Sequence, residues 1–340
     1  MNPNLRLRWA IRLLIVVFLL AAPFMLNTFR LGLLAEVLIF GLAAASLHLL
    51  VGLTGLPSLG HSAYFGLGGY AAGLLSVYVT DSAWLGLGLA IVVGALFAIP
   101  AGWLSVRTSG ITFLMLSLAF AEIIFSTSQS WRDFTGGSDG LSGIGNPEIL
   151  PGIALDSVGS RYYYVAGVFV VLYWALRRFV DSPVGWVLRG VSSNPERMAS
   201  MGYNVVRYRL LAYVVAGVVG SVAGAMNVQY ARFVAPDNVA FMISAFLLVM
   251  VILGGAKRLH GALIGAAILV LVRQELSSRF DSWELGLGLI LVIVIYFLPG
   301  GVAGLFGSFG RKKREQEKAL SAEPAVGTNN KSSDKTEVSA

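Results

Sequence analysis

GLPSLGHSAYFGLGGYAAG, residues 55–73, combines an apolar character suited to a lipid bilayer with six glycines, one proline and one histidine. Glycine and proline are the weakest helix formers, and each unpaired backbone group in hydrocarbon costs several kcal/mol. Broken backbone is tolerated at membrane depth only where it is buried in protein or lines a wet cavity. The stretch therefore predicts an interrupted helix, and in transporters such interruptions often form the permeation site.

The composition around this stretch is that of a membrane protein. Of the 340 residues, 56% are hydrophobic and only 13% are charged, whereas soluble domains carry about 25% charged residues. Apolar runs near the length of about 20 residues needed to cross a bilayer recur along the chain, which predicts an all-α polytopic protein. The ten predicted spans are about 13–28, 32–53, 61–80, 84–105, 111–127, 162–176, 210–228, 240–256, 261–272 and 285–299.

The distribution of basic residues predicts the orientation. With a cytoplasmic N-terminus, 19 of the 25 Lys and Arg residues fall on the cytoplasmic side, as the positive-inside rule requires. The N-terminus has the charged and apolar regions of a signal peptide but no clear small-x-small cleavage site, so we interpret it as a retained first helix. The segment 261–272 is short for a crossing, and a broken or re-entrant segment is the alternative. Residues 1–310 would form the transmembrane domain, and residues 311–340 a disordered, basic-to-polar cytoplasmic tail.

Two loops interrupt the apolar pattern. The outer loop, about 128–161, is dense in turn formers, and the cytoplasmic loop, about 177–209, contains a predicted short helix. Asn194 can cap this helix, Pro195 fits its first position and Gly202 can end it. A helix of about two turns is marginal in water, so it is expected to dock against another protein, or else to lie on its own chain.

Catalytic chemistry has little support in the residues. His48, His61 and His260 lack metal-ligand spacing, there is no cysteine, and no Gly-Lys dipeptide exists from which a P-loop could be built. The sequence thus predicts neither an enzyme nor a metal site, and any ATP would be bound by a partner chain. Glu36 and Glu122 fall near the outer ends of their spans, where snorkelling and a functional role are both open. So few intramembrane ionisable groups argue against an ion-driven transporter.

Glycine is abundant, at 40 residues. Most of it is explained by close helix packing through small-xxx-small pairs. A second glycine-rich interruption, at 253–266, predicts together with the first a substrate path between two broken segments. The pairs are Gly69 with Gly73, Gly220 with Gly224, and Gly261 with Gly265.

Five motifs occur together in a fixed order. They are TGLPSLGHSAYFGLGGYAAGLL at 54–75, LMLSLAFAEI at 115–124, TGGSDGLSGI at 135–144, SNPERMASMGYNVVRYRLLAYVVAG at 193–217 and LLVMVILGG at 247–255. In these motifs the chain resembles the LivM-type permease subunit of branched-chain amino acid ABC importers, over roughly residues 30–300.

The resemblance implies an ABC importer permease fold of about ten helices with both termini in the cytoplasm, in a bacterial inner membrane. It implies a homologous permease partner, two cytoplasmic ATPase subunits that bind ATP-Mg, a periplasmic substrate-binding protein, and no cofactor in this chain. The implied translocation residues are Thr54, Gly55, Ser58, Gly60, His61 and His48. The implied periplasmic mouth is Thr135, Gly136, Gly137, Ser138 and Asp139, and the implied ATPase-coupling residues are Asn194, Pro195, Glu196, Met198 and Gly202.

Three positions depart from the family pattern and bear on the substrate. His48 stands where relatives usually have Asn, Leu56 where Gln is common, and Phe246 where Glu is frequent. A branched-chain amino acid and another small polar solute, such as urea, an amide or a different amino acid, therefore both remain open. The alternative function is an ion-coupled secondary transporter that needs no ATPase.

Overall fold

A computed structural model of the chain describes residues 17–150, 152–256, 258–279 and 288, and most of them are helical. Residues 17–25 are helical, and the helices that follow are α1 (Thr28–His48), α2 (His61–Tyr78), α3 (Ala83–Ser105), α4 (Gly110–Ser130), α5 (Val158–Val180), α6 (Pro183–Ser193), α7 (Pro195–Ser200), α8 (Val205–Ala231), α9 (Phe241–Gly254) and α10 (Leu259–Ser277). A π-helical turn, Leu49–Thr54, continues α1, and single helical turns occupy Arg132–Thr135, Gly137–Asp139 and Pro236–Asn238. Strands β1 (Glu148–Leu150) and β2 (Ile153–Ala154) form a small antiparallel hairpin.

The helices identify a multi-pass membrane protein. Within the described residues, seven helices are long and apolar enough to cross a bilayer, namely α1 with its π-helical turn, α3, α4, α5, α8, α9 with the turn before it, and α10. The predicted span 61–80 coincides with α2, which has 18 residues and a largely buried surface. The predicted first span is described only from residue 17, and 285–299 lies outside the described residues, so the number ten stays a prediction.

Glycine allows the central helices to touch. α8 contacts α1, α2 and α3, and a Cβ placed on Gly224 of α8 would lie 1.7 Å from the carbonyl oxygen of Phe65 in α2. The hairpin of α9 and α10 is equally close, since a Cβ on Gly265 would lie 1.9 Å from the carbonyl oxygen of Met250. At these two positions no other residue fits without moving a helix, as the small-xxx-small pattern predicts.

Two of the predicted segments differ from the structure in extent. The ninth segment, expected to be short and possibly broken, lies within one uninterrupted helix of 19 residues, α10. The outer loop is shorter than 128–161 because α4 continues to Ser130 and α5 begins at Val158. The β-hairpin within it is, in the part of the chain that the structure describes, the one departure from helix and turn that the all-α prediction did not include.

The cytoplasmic loop predicted at 177–209 is mostly helical. α5 continues to Val180, and the unpredicted helix α6 begins after Ser182, whose side chain accepts a hydrogen bond from the backbone of Gly185. Pro183 occupies the first position of α6, where its missing N–H costs nothing. The apolar face of α6 is buried at Leu188 and Val191, so packing stabilises this helix.

The two intramembrane carboxylates differ in their surroundings. Glu36 of α1 lies 3.6 Å from the guanidinium of Arg273 in α10, measured from Oε1 to Nη1. Glu122 is exposed on α4. The first carboxylate therefore joins two helices, while the second faces away from the bundle.

Candidate functional site

The interruption predicted between residues 55 and 60 is present, between the π-helical turn and α2. Gly55 has a φ of +70°, a left-handed conformation that glycine adopts without strain, and it ends the π-helical turn. The backbone N–H of Leu56 donates to the carbonyl of Leu50 at 3.0 Å. Among the described residues, no group donates to the carbonyl oxygens of Leu56, Pro57 and Ser58. The break thus leaves a short row of backbone carbonyls, at the end of the π-helical turn, without a donor within the described residues.

The polar side chains of the break are buried and bonded within the chain. Thr54 and Ser58 are each 1% exposed. The Thr54 hydroxyl donates to the carbonyl of Leu50 at 2.7 Å, and the Ser58 hydroxyl accepts from the N–H of Gly60 at 3.2 Å. Ser58 thus satisfies the N–H of Gly60, while Thr54 adds a second donor to a carbonyl that Leu56 already uses.

His61 begins α2 and is fully buried. Its Nε2 lies 2.7 Å from the hydroxyl oxygen of Ser46, and that hydroxyl donates its single proton to the carbonyl of Ala43 at 2.7 Å. Because serine has one proton to give, Nε2 carries the hydrogen and donates to Ser46. Nδ1 of His61 has no partner among the described residues, so this ring atom is available as an acceptor.

His48 lies apart from His61, at the end of α1. It is 2% exposed, and its Nδ1 also has no partner among the described residues. A Cβ on Gly52 would lie 2.5 Å from Cε1 of His48 and 2.3 Å from the carbonyl of Ala256. The first interruption thus approaches the turn between α9 and α10, where the sequence predicts the second interruption.

The break is held against α4. The N–H of Leu59 donates to the Ser117 hydroxyl at 3.2 Å, and a Cβ on Gly60 would lie 2.2 Å from the carbonyl oxygen of Ser117. Only glycine allows this approach of the two backbones. Any movement of α4 at Ser117 is therefore transmitted directly to the break.

The predicted periplasmic mouth lies at the far end of α4. Thr135 is buried, and its hydroxyl lies 2.6 Å from the carbonyl of Ser128. Gly136 and Gly137 have φ values of +78° and +62°, which fold the loop back on itself, while Ser138 and Asp139 are more open to the surroundings. Eleven residues of helix separate Ser117 from Ser128, about 16 Å at the usual rise. The structure therefore places the mouth and the break at two levels of one helix and not in one site.

A polar stripe on α4 was missed by the sequence reasoning. Glu122, Ser126 and Ser130 are exposed and share a face because they are spaced by four residues. The buried residues of α4, such as Phe113 and Ser117, lie on the opposite side at about 100° per residue. The outer end of the stripe borders a depression of about 370 Å³ lined by Ser126, Thr127, Ser130 and Trp131. The four-residue spacing within an otherwise apolar span was the available signal.

The predicted cytoplasmic helix is α7, and its ends are formed as expected. The side chain of Asn194 accepts from the N–H of Arg197 at 2.9 Å, Pro195 is the first residue and Glu196 lies in the first turn. Gly202 follows with a φ of +87°. None of the residues of α7 is buried. A six-residue helix without a buried face presents its side chains for contact with something beyond this chain.

α6 connects α7 to the break. A Cβ on Gly190 of α6 would lie 2.8 Å from the sulfur of Met198, so α7 folds closely against α6. At the other side, a Cβ on Gly55 would lie 3.0 Å from the hydroxyl oxygen of Ser192. The exposed helix, its supporting helix and the interruption thus form one continuous chain of contacts.

The comparisons with known proteins agree with this arrangement. The high-affinity branched-chain amino acid transport system permease proteins LivM of Salmonella typhimurium and Escherichia coli K12 are each 27% identical to this chain over 312 residues, which cover 85% of this chain and 73% of theirs. LivH of Salmonella typhimurium, named as a permease protein of the same kind of system, is 24% identical over 285 residues, covering 78% of this chain and 91% of its own. No solved structure matches the chain. A family model described as the branched-chain amino acid transport system / permease component matches residues 29–307. The chain therefore belongs to this family of permease components, and it is a membrane transport subunit and not an enzyme.

Proposed function

We propose that this chain is the permease subunit of an ABC importer that moves branched-chain amino acids, or a related small polar solute, across a bacterial inner membrane. A periplasmic binding protein delivers the solute, and two cytoplasmic ATPase subunits bind ATP-Mg. The chain itself carries no cofactor. The names of its LivM and LivH relatives support the solute class.

The observation that carries this proposal is the chain of contacts from α7 to the break. α7 is exposed and capped by Asn194, and α6 links it to Gly55 through Ser192. Closure of the ATPases on ATP would move α7, with Pro195, Glu196 and Met198 in the contact, as a rigid lever. α6 would then shift the backbone of the break.

A second permease subunit is expected to face α4. α4 is the least buried of the seven span-capable helices, and its exposed stripe contains the carboxylate of Glu122 together with Ser126 and Ser130. Placing a charged group against lipid costs at least about 2.5 kcal/mol. The stripe is therefore expected to face a polar path and not the lipid. The path would run between the two subunits, from the loop of Thr135 to Asp139 at the outside to the break at mid-membrane.

The permeant would be handled by backbone groups. A zwitterion cannot cross hydrocarbon unaided because its charges would lose their hydration. The carbonyls of Leu56, Pro57 and Ser58 and the Nδ1 of His61 are the acceptors that the break offers. Phe246, at a position where a carboxylate is frequent in relatives, is buried with its ring edge-on to Phe40 at 6.0 Å. This supports an apolar wall between α1 and α9, suited to an aliphatic side chain.

The proposed topology has ten spans with both termini in the cytoplasm. Residues 1–310 form the transmembrane domain and 311–340 the cytoplasmic tail, and the binding protein docks on the outer loop after α4. The basic residues of the α5–α8 region, Arg178, Arg189, Arg197 and Arg207 among them, support the cytoplasmic placement of α7.

Reconstitution tests the function. The chain is placed in proteoliposomes with and without its ATPase and permease partners, and uptake of labelled leucine is measured with ATP, and with an imposed proton or sodium gradient. Uptake that requires both the ATPases and ATP supports the importer. Gradient-driven uptake by this chain alone would establish the secondary transporter instead. Competition by unlabelled urea, amides and other amino acids in the same assay identifies the solute.

A further inference from the structure

An apolar cleft of about 480 Å³ opens between α3 and α4, and it is distinct from the polar stripe of α4. α2 and α8 form its floor, and Gly60 lies at its inner edge. The residues that shape its walls are Phe97, Pro100 and Leu104 of α3 and Phe120, Ile123 and Ile124 of α4. This volume is that of a ligand site, and its walls suit a flexible hydrocarbon.

The floor of the cleft offers no polar group to a solute. Tyr64 and Tyr213 both line it, but the Tyr64 hydroxyl donates to the Tyr213 hydroxyl at 3.0 Å and both side chains are buried. The Tyr64 hydroxyl thus gives its proton to Tyr213, and the lining of the cleft is almost entirely apolar. A zwitterion would lose its hydration here without compensation.

One end of the cleft carries a positive charge. Trp103 lines the cleft, is 53% exposed, and lies at the end of α3 that the basic residues assign to the cytoplasm. The guanidinium of Arg107 stacks over its ring, 4.1 Å from the centroid. Arg107 is exposed, and no carboxylate among the described residues forms an ion pair with it. A tryptophan and an arginine at a helix end are typical of the headgroup region of a bilayer.

We propose that this cleft binds one anionic phospholipid, with an acyl chain between α3 and α4 and the phosphate on Arg107. The hydrocarbon walls and the cation of Arg107 at the rim match the two ends of such a lipid. Basic pockets between helices on the cytoplasmic side are a recurrent form of anionic lipid recognition. A lipid in this position would support the contact between α4 and the break, because Gly60 borders the cleft.

A second permease subunit is a weaker candidate for the same place. The cleft residues of α4, Phe120 and Ile123, lie on average about 110° around the helix from Glu122 and Ser126, at about 100° per residue. A partner seated on the polar stripe therefore leaves the cleft at its side. The proposal does not depend on which solute the importer carries.

Native mass spectrometry of the full chain, purified in detergent, tests lipid binding. The probes are phosphatidylglycerol and phosphatidylcholine with the same acyl chains. We expect one phosphatidylglycerol to bind with higher affinity than phosphatidylcholine, and Arg107→Gln to weaken that binding about fivefold, the effect of about one interfacial charge. Arg178→Gln, at another exposed arginine, is the matched control and should leave the affinity unchanged. Equal binding of the two lipids, or equal loss in both variants, would overturn the proposal.

A second pair of variants tests the position of the acyl chain. Ile123 and Ile111 are both exposed on α4, at 61% and 73%, but only Ile123 lines the cleft. Ile123→Trp should fill the cleft and abolish tight phosphatidylglycerol binding, while Ile111→Trp should not. Binding that survives Ile123→Trp would place the lipid elsewhere and overturn the proposal. Loss of the bound lipid from the native chain when the permease partner assembles would show that the cleft is a subunit interface, and would overturn it as well.

Discussion

Replacement of Gly202 by valine tests whether α7 acts as a lever. Gly202 ends this helix with a φ of +87°, and a valine there costs about 1–3 kcal/mol of backbone strain. Met198 packs on α6 but no residue of α7 is buried, so packing within this chain offsets little of that cost. A loss of this size lowers the population of the correctly ended helix by about 5- to 150-fold. We expect the coupling ratio, the number of solute molecules transported per ATP hydrolysed, to fall accordingly.

The assay compares ATP hydrolysis with solute uptake in proteoliposomes that contain the assembled importer. Gly152→Val is the matched control, because Gly152 has a φ of +84°, lies in the outer loop, and has no atom within 4 Å of the position that a Cβ would take. It imposes the same strain far from α7 and should leave coupling unchanged. Normal coupling in Gly202→Val, with the protein folded, would refute the lever. Equal losses in both variants would show that strain alone is responsible.

Three further substitutions test the packing and the path. Gly60→Ala would place a Cβ 2.2 Å from a carbonyl oxygen of α4. We expect the free energy of unfolding to fall by about 1–3 kcal/mol and solute uptake to be lost. Gly88→Ala, where nothing lies within 4 Å of the added Cβ, should keep the stability and the uptake of the native chain. Thermal unfolding, monitored by fluorescence-detected size-exclusion chromatography, measures the loss of stability. Gly224→Ala would place a Cβ 1.7 Å from a carbonyl oxygen of α2, and the same assay should show a larger loss of stability. A variant that is folded and as stable as the native chain would contradict this prediction. Ser126→Leu makes the polar stripe apolar; we expect slower uptake with unchanged stability, and unchanged uptake would remove the stripe from the path.

The sequence predicts the features that depend on the type of a single residue. The break appears where Gly55, Pro57 and Gly60 interrupt an apolar run, because these residues cannot sustain a helix there. α7 begins and ends where Asn194 and Gly202 predict, because caps act within a few residues. Local chemistry decides both, and no knowledge of the fold is needed.

The features that the sequence does not predict depend on contacts between distant segments. The cap at Ser182 with Pro183, and the helical spacing of Val184, Val187, Leu188 and Val191, were local signals of α6, but the surface on which Leu188 and Val191 are buried was not predictable from them. The approach of Gly60 to Ser117 joins α2 to α4, and no pattern within either helix announces it.

The π-helical turn Leu49–Thr54 is the place where a movement of α6 would act. π-helical turns are rarer and less stable than α-helix and are frequent at functional sites. This turn is followed by Gly55, which contacts α6 at Ser192, and its last residue, Thr54, uses its hydroxyl to hold Leu50. A shift of α6 would therefore act directly on backbone that is less costly to rearrange than a regular helix. The same rearrangement would release the Thr54 and Ser58 hydroxyls from their bonds within the chain and make them available to a permeant. The glycine-broken stretch thus has one property that a gate needs, a low cost of rearrangement next to the helix that would move it.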